Sequence, residues 1–462
     1  MKILYILLAL IVLLVLITVH EFGHYCAGKM FGFKINEFSI GFGPAIYKRK
    51  RKDGEIFSIR ALPLGGYCAF EGEDEDGKDK PGSFNTMAGW KRIIVLLSGV
   101  TFNFLFAILT AAIYLMVVGF STVQIKSVVY QNGSYINEFQ RNDIIVAVEG
   151  KKVEAYRSFD ALMTEIKNDY KKQGIEKGKF VVTVEREEVN SFNVKVKNLV
   201  DVNVEIKDIQ PFYYVSYDEF FDGKIFIEDS FGNRQPITLE RFTEDIMRIT
   251  VTDTNSETAG KGTELIAYLS TIYKTNNIED DSTYADDIET LLNGDNTDPK
   301  NPIYASITYA KASQGIGIIQ SYVERDYGFF ESVFKAWPYC FYMAGIILTS
   351  LIGLFTGAVA VSEAGGTITA ISQIAEISEW GFRYFLLLLP MLSVNLALFN
   401  VLPIPSLDGA RTLFVLIEII FRKPVPRHIE GWIHTIGLFA LLALVVFLDI
   451  NHFFIGSIML QL

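Results

Sequence analysis

A chain of 462 residues, half of them apolar and with a formal net charge of −11, has room for more than one domain and the composition of a membrane protein. The negative balance excludes nucleic acid as a general partner, because a phosphate-binding surface needs clustered Lys and Arg. The 3 cysteines, Cys26, Cys68 and Cys340, lie far apart with no C-x-x-C spacing and point to neither a disulfide framework nor a cysteine zinc site.

From the N-terminus, residues 3–19 form an uncharged apolar run. A signal peptide would have a shorter apolar core and a small-residue cleavage site. This run leads instead straight into His20-Glu21-Phe22-Gly23-His24, so it is expected to persist as a membrane helix over residues 3–24. His20 and His24 are four apart, so on a helix they project from one face, one turn apart, as a zinc ion requires of two imidazoles. Glu21 flanks such a metal and is placed to take a proton from water rather than to ligate. Ionisable groups at the end of an apolar span are costly and are expected to have a function; the simpler alternative is an interfacial helix end that happens to contain histidine.

The next loop carries Lys29, Lys34, the run Lys48-Arg49-Lys50-Arg51-Lys52, Arg60, Lys91 and Arg92, which the positive-inside rule assigns to the cytoplasm. Residues 93–120 form a second predicted span, and the polar residues 121–331 are then expected outside the cytoplasm. Within them, residues 121–200 read as a small mixed domain. Strand patterns occur at residues 123–129, 144–148, 181–185 and 192–196, and helical spacing at 158–166. Residues 201–331 hold aromatic strand-like pieces such as Phe212-Tyr213-Tyr214-Val215, a polar stretch at 252–262, and an acidic loop around Glu279, Asp280, Asp281, Asp286, Asp287 and Glu289. Charged runs of this kind are usually solvated surface. An insertion and a degenerate second domain are both open for this region.

Residues 382–402 form a third predicted span, and Asn400-Val401-Leu402-Pro403-Ile404-Pro405-Ser406-Leu407-Asp408-Gly409 puts one carboxylate just beyond a span that two prolines break. A catalytic zinc usually has three protein ligands. His428, His434 and His452 have no paired spacing, whereas a broken helix is tolerated at membrane depth where it lines a polar cavity, so Asp408 is the better third ligand. The alternative is a turn followed by an Asp N-cap. Arg411, Arg422, Lys423 and Arg427 make a second basic, cytoplasmic loop before a last span at residues 432–449. If the two polar motifs meet, the first and third spans both enter from outside, and the apolar residues 334–360 cannot cross once. Trp337, Tyr339 and Tyr342 suit a segment that lies on the outer interface or re-enters. The expected fold is an α-helical polytopic membrane protein of about four spans. Its parts are an N-terminal membrane part (1–120), the mixed domain (121–200), the third region (201–331) and a C-terminal membrane part (332–462).

Together these motifs resemble the site-2 proteases, in particular the bacterial regulator-of-sigma-E protease branch, over nearly all of the membrane portion. His20 to His24 is similar to the family's H-E-x-x-H. Asn400 to Gly409 is similar to its N-x-x-P-x-P-x-L-D-G, which implies Asp408 as third ligand and Asn400 as a substrate-positioning residue. Phe38-Ser39-Ile40-Gly41-Phe42-Gly43-Pro44 and Leu62-Pro63-Leu64-Gly65-Gly66-Tyr67 resemble its membrane-re-entrant β-hairpin. Arg141-Asn142-Asp143-Ile144-Ile145 with Glu149-Gly150-Lys151-Lys152-Val153 resembles its PDZ domain, here extracytoplasmic and α+β. The chain departs from the family in having Gly99-Val100 for Gly-Pro, with Asn103 kept, and Asp408-Gly409-Ala410-Arg411 for D-G-G-H. A third departure is Ser362-Glu363-Ala364-Gly365-Gly366 near the usual Gly-Pro-Ile-Gly. None of these removes a ligand or the base.

The resemblance implies a Zn2+-dependent intramembrane endopeptidase of the cell membrane, its active site towards the cytoplasm. Its substrates would be single-span proteins in the lipid bilayer, such as anti-sigma factors or signal-peptide remnants. A transmembrane helix hides its peptide bonds, so the substrate must unwind. The hairpin offers a strand edge for β-augmentation, with Gly41, Phe42 and Gly43 near the substrate, although the two glycines also read as simple turn glycines. Two rivals differ in class. An inactive PDZ-containing scaffold would have no need for His20, Glu21, His24 and Asp408 together, and a metal carrier would need a polar pathway across several spans, of which the spans show little apart from these residues and Asn103.

Overall fold

The computed structural model describes residues 2–52, 54–73, 81–131, 134–175, 178–189, 193–209, 212–217, 226–228, 234–243, 246–251, 264–272, 305–310, 313–358, 365–379, 381–423 and 425–459. The polar stretch 252–262, the acidic loop around Glu279 to Glu289, Phe192 and Ser362 to Ala364 lie outside the described residues. The chain divides into two compact units, Met1–Gly119 with Asp326–Leu462, and Phe120–Arg325.

The first unit holds α1 (Lys2–Phe31), strands β1 (Ile35–Lys50) and β2 (Ile56–Phe70), and α2 (Gly89–Val117). After residue 325 the chain returns to it as α4 (Phe329–Thr356), α5 (Thr367–Glu379), α6 (Phe382–Val401), α7 (Asp408–Phe421) and α8 (Arg427–Met459). The apolar run at the start of the chain is one helix that carries His20 and His24 within it, as the uncharged sequence predicts. Among the described residues five helices are long and apolar enough to cross a membrane: α1, α2, α4, α6 and α8.

One of these helices, α4, covers the segment for which an interfacial or re-entrant course is expected. Up to Thr356, residues 334–360 belong to one continuous 28-residue helix starting at Phe329. Tyr339, which suits a membrane boundary, is instead buried against α2 with its ring stacked on Tyr114 at 6.1 Å, and Phe341 meets Phe104 at 5.0 Å. Trp337 and Tyr342, the other two rings that suit a boundary, stay 47% and 39% exposed.

α5 is too short to span and is fixed from two sides. Ile374 packs with Ala9 of α1 and Leu388 of α6, and the carboxylate of Asp449, on α8, accepts the backbone N–H groups of Ile368 and Thr369 at 3.1 and 2.9 Å. A helix start has orphan N–H groups, and here another helix supplies the acceptor that the local sequence lacks.

β1 and β2 pair as the hairpin expected from residues 38–70, but both strands bend. Glu37, Phe38, Ser39 and Ile40 pair with Ala69, Cys68, Tyr67 and Gly66 on one side and with Ile56, Phe57, Ser58 and Ile59 on the other. Residues 45–50 pair in turn with 56–60. Four segments therefore lie side by side, with 66–70 at one edge, against α1. Glu55, almost fully buried, anchors the turn: it pairs with Lys29 and Arg51 and accepts from the Tyr25 hydroxyl, so the hairpin is tied to α1 just beyond His24.

The second unit has a sheet built from β3 (Phe120–Val128), β6 (Ile144–Val148), β8 (Lys179–Val189) and β9 (Lys195–Glu205), with the short β7 (Lys151–Lys152) beside β6. Its order is β18-β3-β6-β8-β9, where β18 (Ile318–Arg325) comes from the far end of the unit. α3 (Phe159–Lys172), N-capped by the Ser158 hydroxyl, covers a core of Val123, Ile125, Ile145, Val148, Leu162 and Val182 among others. A two-strand ladder joins β4 (Tyr130–Gln131) to β5 (Ser134–Tyr135). Residue 200 falls inside β9, which runs to Glu205, and β18 completes the sheet. Between them the chain enters and leaves through a paired neck, β10 (Lys207–Ile209) with β17 (Ser313–Gly315). The inserted strands β11 (Phe212–Tyr217), β12 (Phe226–Glu228), β13 (Arg234–Thr243), β14 (Ile246–Val251), β15 (Glu264–Ile272) and β16 (Ala305–Ala310) close a barrel.

Asp143 locks the sheet. It is fully buried, takes both Arg186 nitrogens at 2.8 and 2.7 Å, and also accepts the Gln140 N–H. Asp143→Ala is expected to destabilise this unit by about 3–5 kcal/mol, because Arg186, whose side chain is only 11% exposed, would lose its counter-charge. Amide hydrogen exchange in the full chain should speed up across β3, β6 and β8; unchanged exchange there would contradict this.

Candidate metal centre

Three elements meet at His20. α1 presents His20 and His24 one turn apart; their Nε2 atoms are 3.2 Å from each other, with the rings edge-on at 4.7 Å between centroids. α7 begins with Asp408, whose Oδ2 lies 2.9 Å from His20 Nε2 and 3.1 Å from His24 Nε2. The three ligand atoms all fall within 4.8 Å of one another, so residues 20, 24 and 408 come together as the sequence predicts. The alternative reading of Asp408 as an N-cap is not what forms: the N-cap position is Leu407, and the Asp408 carboxylate turns to the imidazoles.

α2 makes the site possible by leaving room. A Cβ on Gly99 would lie 2.5 Å from His24 Nε2 and 2.8 Å from His20 Nδ1, and a Cβ on Gly23 would collide with the Ser98 carbonyl of α2. Glycine on both helices lets them approach until the imidazoles lie against bare backbone. Gly99→Ala is accordingly expected to push the two rings apart and weaken zinc binding by at least about 10-fold, as loss of an orienting contact does. Competition with a chelating dye would check this, and wild-type affinity would refute it.

The ring nitrogens are oriented from behind. The Val95 carbonyl lies 2.8 Å from His24 Nδ1 and can only accept, so Nδ1 carries a proton and Nε2 is the nitrogen left to face a metal. Asp408 Oδ2, although buried, accepts no hydrogen bond. Burial alone would raise its pKa, but His24 and His20 outweigh that and hold it below the usual carboxylate range, so the group is an anion. Two imidazole nitrogens and one carboxylate oxygen, crowded together with no hydrogen bond to Oδ2, suit a divalent cation such as zinc.

Glu21 stands beside this cluster and is not one of its ligand atoms. The backbone N–H of Cys68, on the edge segment 66–70, donates to its carboxylate. A Cβ on Gly66 would lie 2.7 Å from Ser39 O and 3.7 Å from Glu21 Cγ, so the hairpin packs closely over the carboxylate. Asn400, in the last turn of α6, is mostly buried and donates to Leu396 O of its own helix at 2.9 Å. Gly41 and Gly43 have φ of 87° and 84° at the bend of β1, a conformation that glycine adopts without strain. Phe42 between them stacks on Tyr67 at 6.1 Å and is 44% exposed.

Sequence reasoning did not assign the residues that shape the centre from α2 and α8. Gly99 has no chemical signature, and its role follows only from the approach of α1. Ser406 has φ of 78°; its N–H donates to His434 Nδ1 at 2.8 Å and its hydroxyl to His434 O at 2.9 Å, which ties the turn before Asp408 to α8. The proline-rich spacing predicts a turn there but not the helix that holds it.

The peptidase family M50 model matches residues 8–444. A Vibrio cholerae protein whose name places it among zinc metalloproteases is 28% identical, covering 96% of this chain and 97% of its own length. The regulator of sigma E protease of Haemophilus influenzae is 25% identical over 96% of this chain and 97% of its own. Protease RseP of Yersinia pestis is 25% identical over 98% and 100% respectively. The match across almost the whole length, with the H-E-x-x-H helix and the Asp408 turn meeting in space, shows that the chain belongs to peptidase family M50.

Proposed function

We propose that this peptidase is a zinc-dependent endopeptidase that cuts within the membrane-spanning segments of single-span proteins. The observation that carries the reading is the convergence of His20, His24 and Asp408, with the Glu21 carboxylate beside them, on a helix apolar enough to cross a bilayer. His20, His24 and Asp408 would hold the metal. Bound zinc supplies acidity to a water near neutral pH and polarises a carbonyl. Glu21 is the general base: its carboxylate, held by the Cys68 N–H, takes the proton of the attacking water and then delivers it to the leaving amine.

The substrate must expose its peptide bonds, and a helix does not. The edge segment 66–70 lies against Glu21, and an unwound stretch pairing there as an added strand would bring its backbone to the base. Asn400 and the bend Gly41-Phe42-Gly43 are assigned to substrate contact on the same reading. Clustered positive charge at Lys48-Arg49-Lys50-Arg51-Lys52 and at Arg422 and Lys423 supports a cytoplasmic position for the loops that follow α1 and α6, and an extracytoplasmic one for residues 120–325, which we read as a PDZ-like domain with an insertion.

The test is cleavage in proteoliposomes that contain the purified chain and a single-span test protein, with product ends located by mass spectrometry. Cuts inside the apolar segment, lost on chelation and restored by zinc, are expected. Cleavage confined to water-exposed tails, or unaffected by chelation, would overturn the proposal.

A further inference from the structure

We infer that Asn103 is a positioning residue for His20: its side-chain oxygen accepts the Nδ1–H of that ring, so that Nε2 keeps its lone pair for the metal. The inference rests on the zinc-site reading above and deepens it. Asn103 lies in the middle of α2, is 0% exposed, and brings its amide to 3.3 Å from His20 Nδ1. Its backbone carbonyl accepts from the Ser393 hydroxyl of α6 at 2.7 Å, which fixes α2 at this level against a third helix.

An amide can face the ring in two ways that are alike in shape and opposite in chemistry. If Nδ2 faces His20, the ring nitrogen opposite must be a lone pair, and the imidazole proton moves to Nε2. That proton would then point at Asp408 Oδ2 and His24 Nε2, 2.9 and 3.2 Å away, an arrangement that suits an ion pair and blocks ligation. If Oδ1 faces the ring, Nδ1 keeps the proton and Nε2 is free to ligate. Asn103 Oδ1 is not committed elsewhere, since with Nδ2 towards the ring it is buried with no hydrogen-bond partner. Either orientation gives the amide one bond to the ring, and the need for a ligating Nε2 decides between them.

His24 reaches the same state through the Val95 carbonyl. The two ligand rings are thus held from behind by α2 alone, one by a main-chain and one by a side-chain carbonyl oxygen, the arrangement that orients metal-binding histidines generally. A neutral acceptor also avoids a further buried charge beside Glu21 and Asp408.

The test is zinc affinity of the purified full chain in detergent, measured by competition with a chelating dye for the wild type, Asn103→Leu, Asn103→Asp and His20→Ala. Asn103→Leu keeps the size and removes the acceptor, and is expected to weaken binding about 10- to 100-fold. Asn103→Asp keeps an oxygen for Nδ1–H and is expected to bind within a few-fold of wild type. A residue that merely filled space would tolerate Leu better than a buried charge, so the order Asp above Leu is the diagnostic result. If Asn103→Leu does not elute as a folded species, Asn103→Ala carries the same comparison. Wild-type affinity in the Leu or Ala variant, or an Asp variant no better than either, overturns the inference. Full affinity in His20→Ala would instead remove the zinc-site reading itself, so the two failures are distinct.

Discussion

Glu21→Gln is expected to slow peptide-bond cleavage by about 10²–10⁴-fold with zinc content unchanged, the range that general acid–base catalysis contributes. The glutamine keeps the shape of the side chain and an oxygen to accept the Cys68 N–H, so the edge segment 66–70 should hold its place. What it loses is basicity: an amide cannot take a proton from water or pass one to the leaving amine. The loss corresponds to about 3–5 kcal/mol of transition-state stabilisation. Zinc is retained because the Glu21 carboxylate is not among the three convergent ligand atoms. Parallel assays of turnover and metal content on the same preparation separate base from ligand. Turnover within a few-fold of wild type would refute the assigned base, and loss of zinc with turnover would make Glu21 a ligand.

Asp408→Ala should have the opposite signature, losing zinc first and activity as a consequence. Removal of a group that only orients a ligand costs about 10- to 100-fold in metal affinity, and removal of a ligand should exceed that. The variant also decides between the two roles open to an aspartate at a helix start. Were Asp408 a cap for α7, alanine would cost about 1 kcal/mol of helix stability and leave the metal in place. With Leu407 at the N-cap and Oδ2 within 3.1 Å of both imidazoles, the expected result is zinc loss with α7 intact. Equilibrium dialysis and far-ultraviolet circular dichroism report the two quantities separately.

How far the sequence is legible depends on how local the cause is. His20 and His24 could be paired because four residues make about one helical turn, and their helix could be foreseen because nothing polar interrupts residues 3–19. Asp408 could be singled out because Pro403 and Pro405 must break the span before it. The partners that finish the site are non-local. Gly99 matters only because α1 packs on α2, and Ser406 is held by His434 from another helix. The hairpin was foreseen, but not that β1 and β2 would bend to give four adjacent segments, since that register is set by pairing and not by alternation. The contact of Tyr339 is non-local in the same way: an amphipathic ring suits an interface or a helix contact equally, and its partner Tyr114 lies on another helix. In the second unit β18 joins the sheet only after the inserted barrel, so no reading by neighbouring segments could have closed it.

The most direct test of the metal centre is X-ray absorption at the zinc edge of the purified, zinc-loaded chain. Two imidazole nitrogens at about 2.0–2.1 Å and oxygen ligands at about 2.0–2.2 Å are expected, with the nitrogen signal reduced in His24→Ala. A sulfur shell near about 2.3 Å, or an imidazole signal that survives both His20→Ala and His24→Ala unchanged, would contradict this.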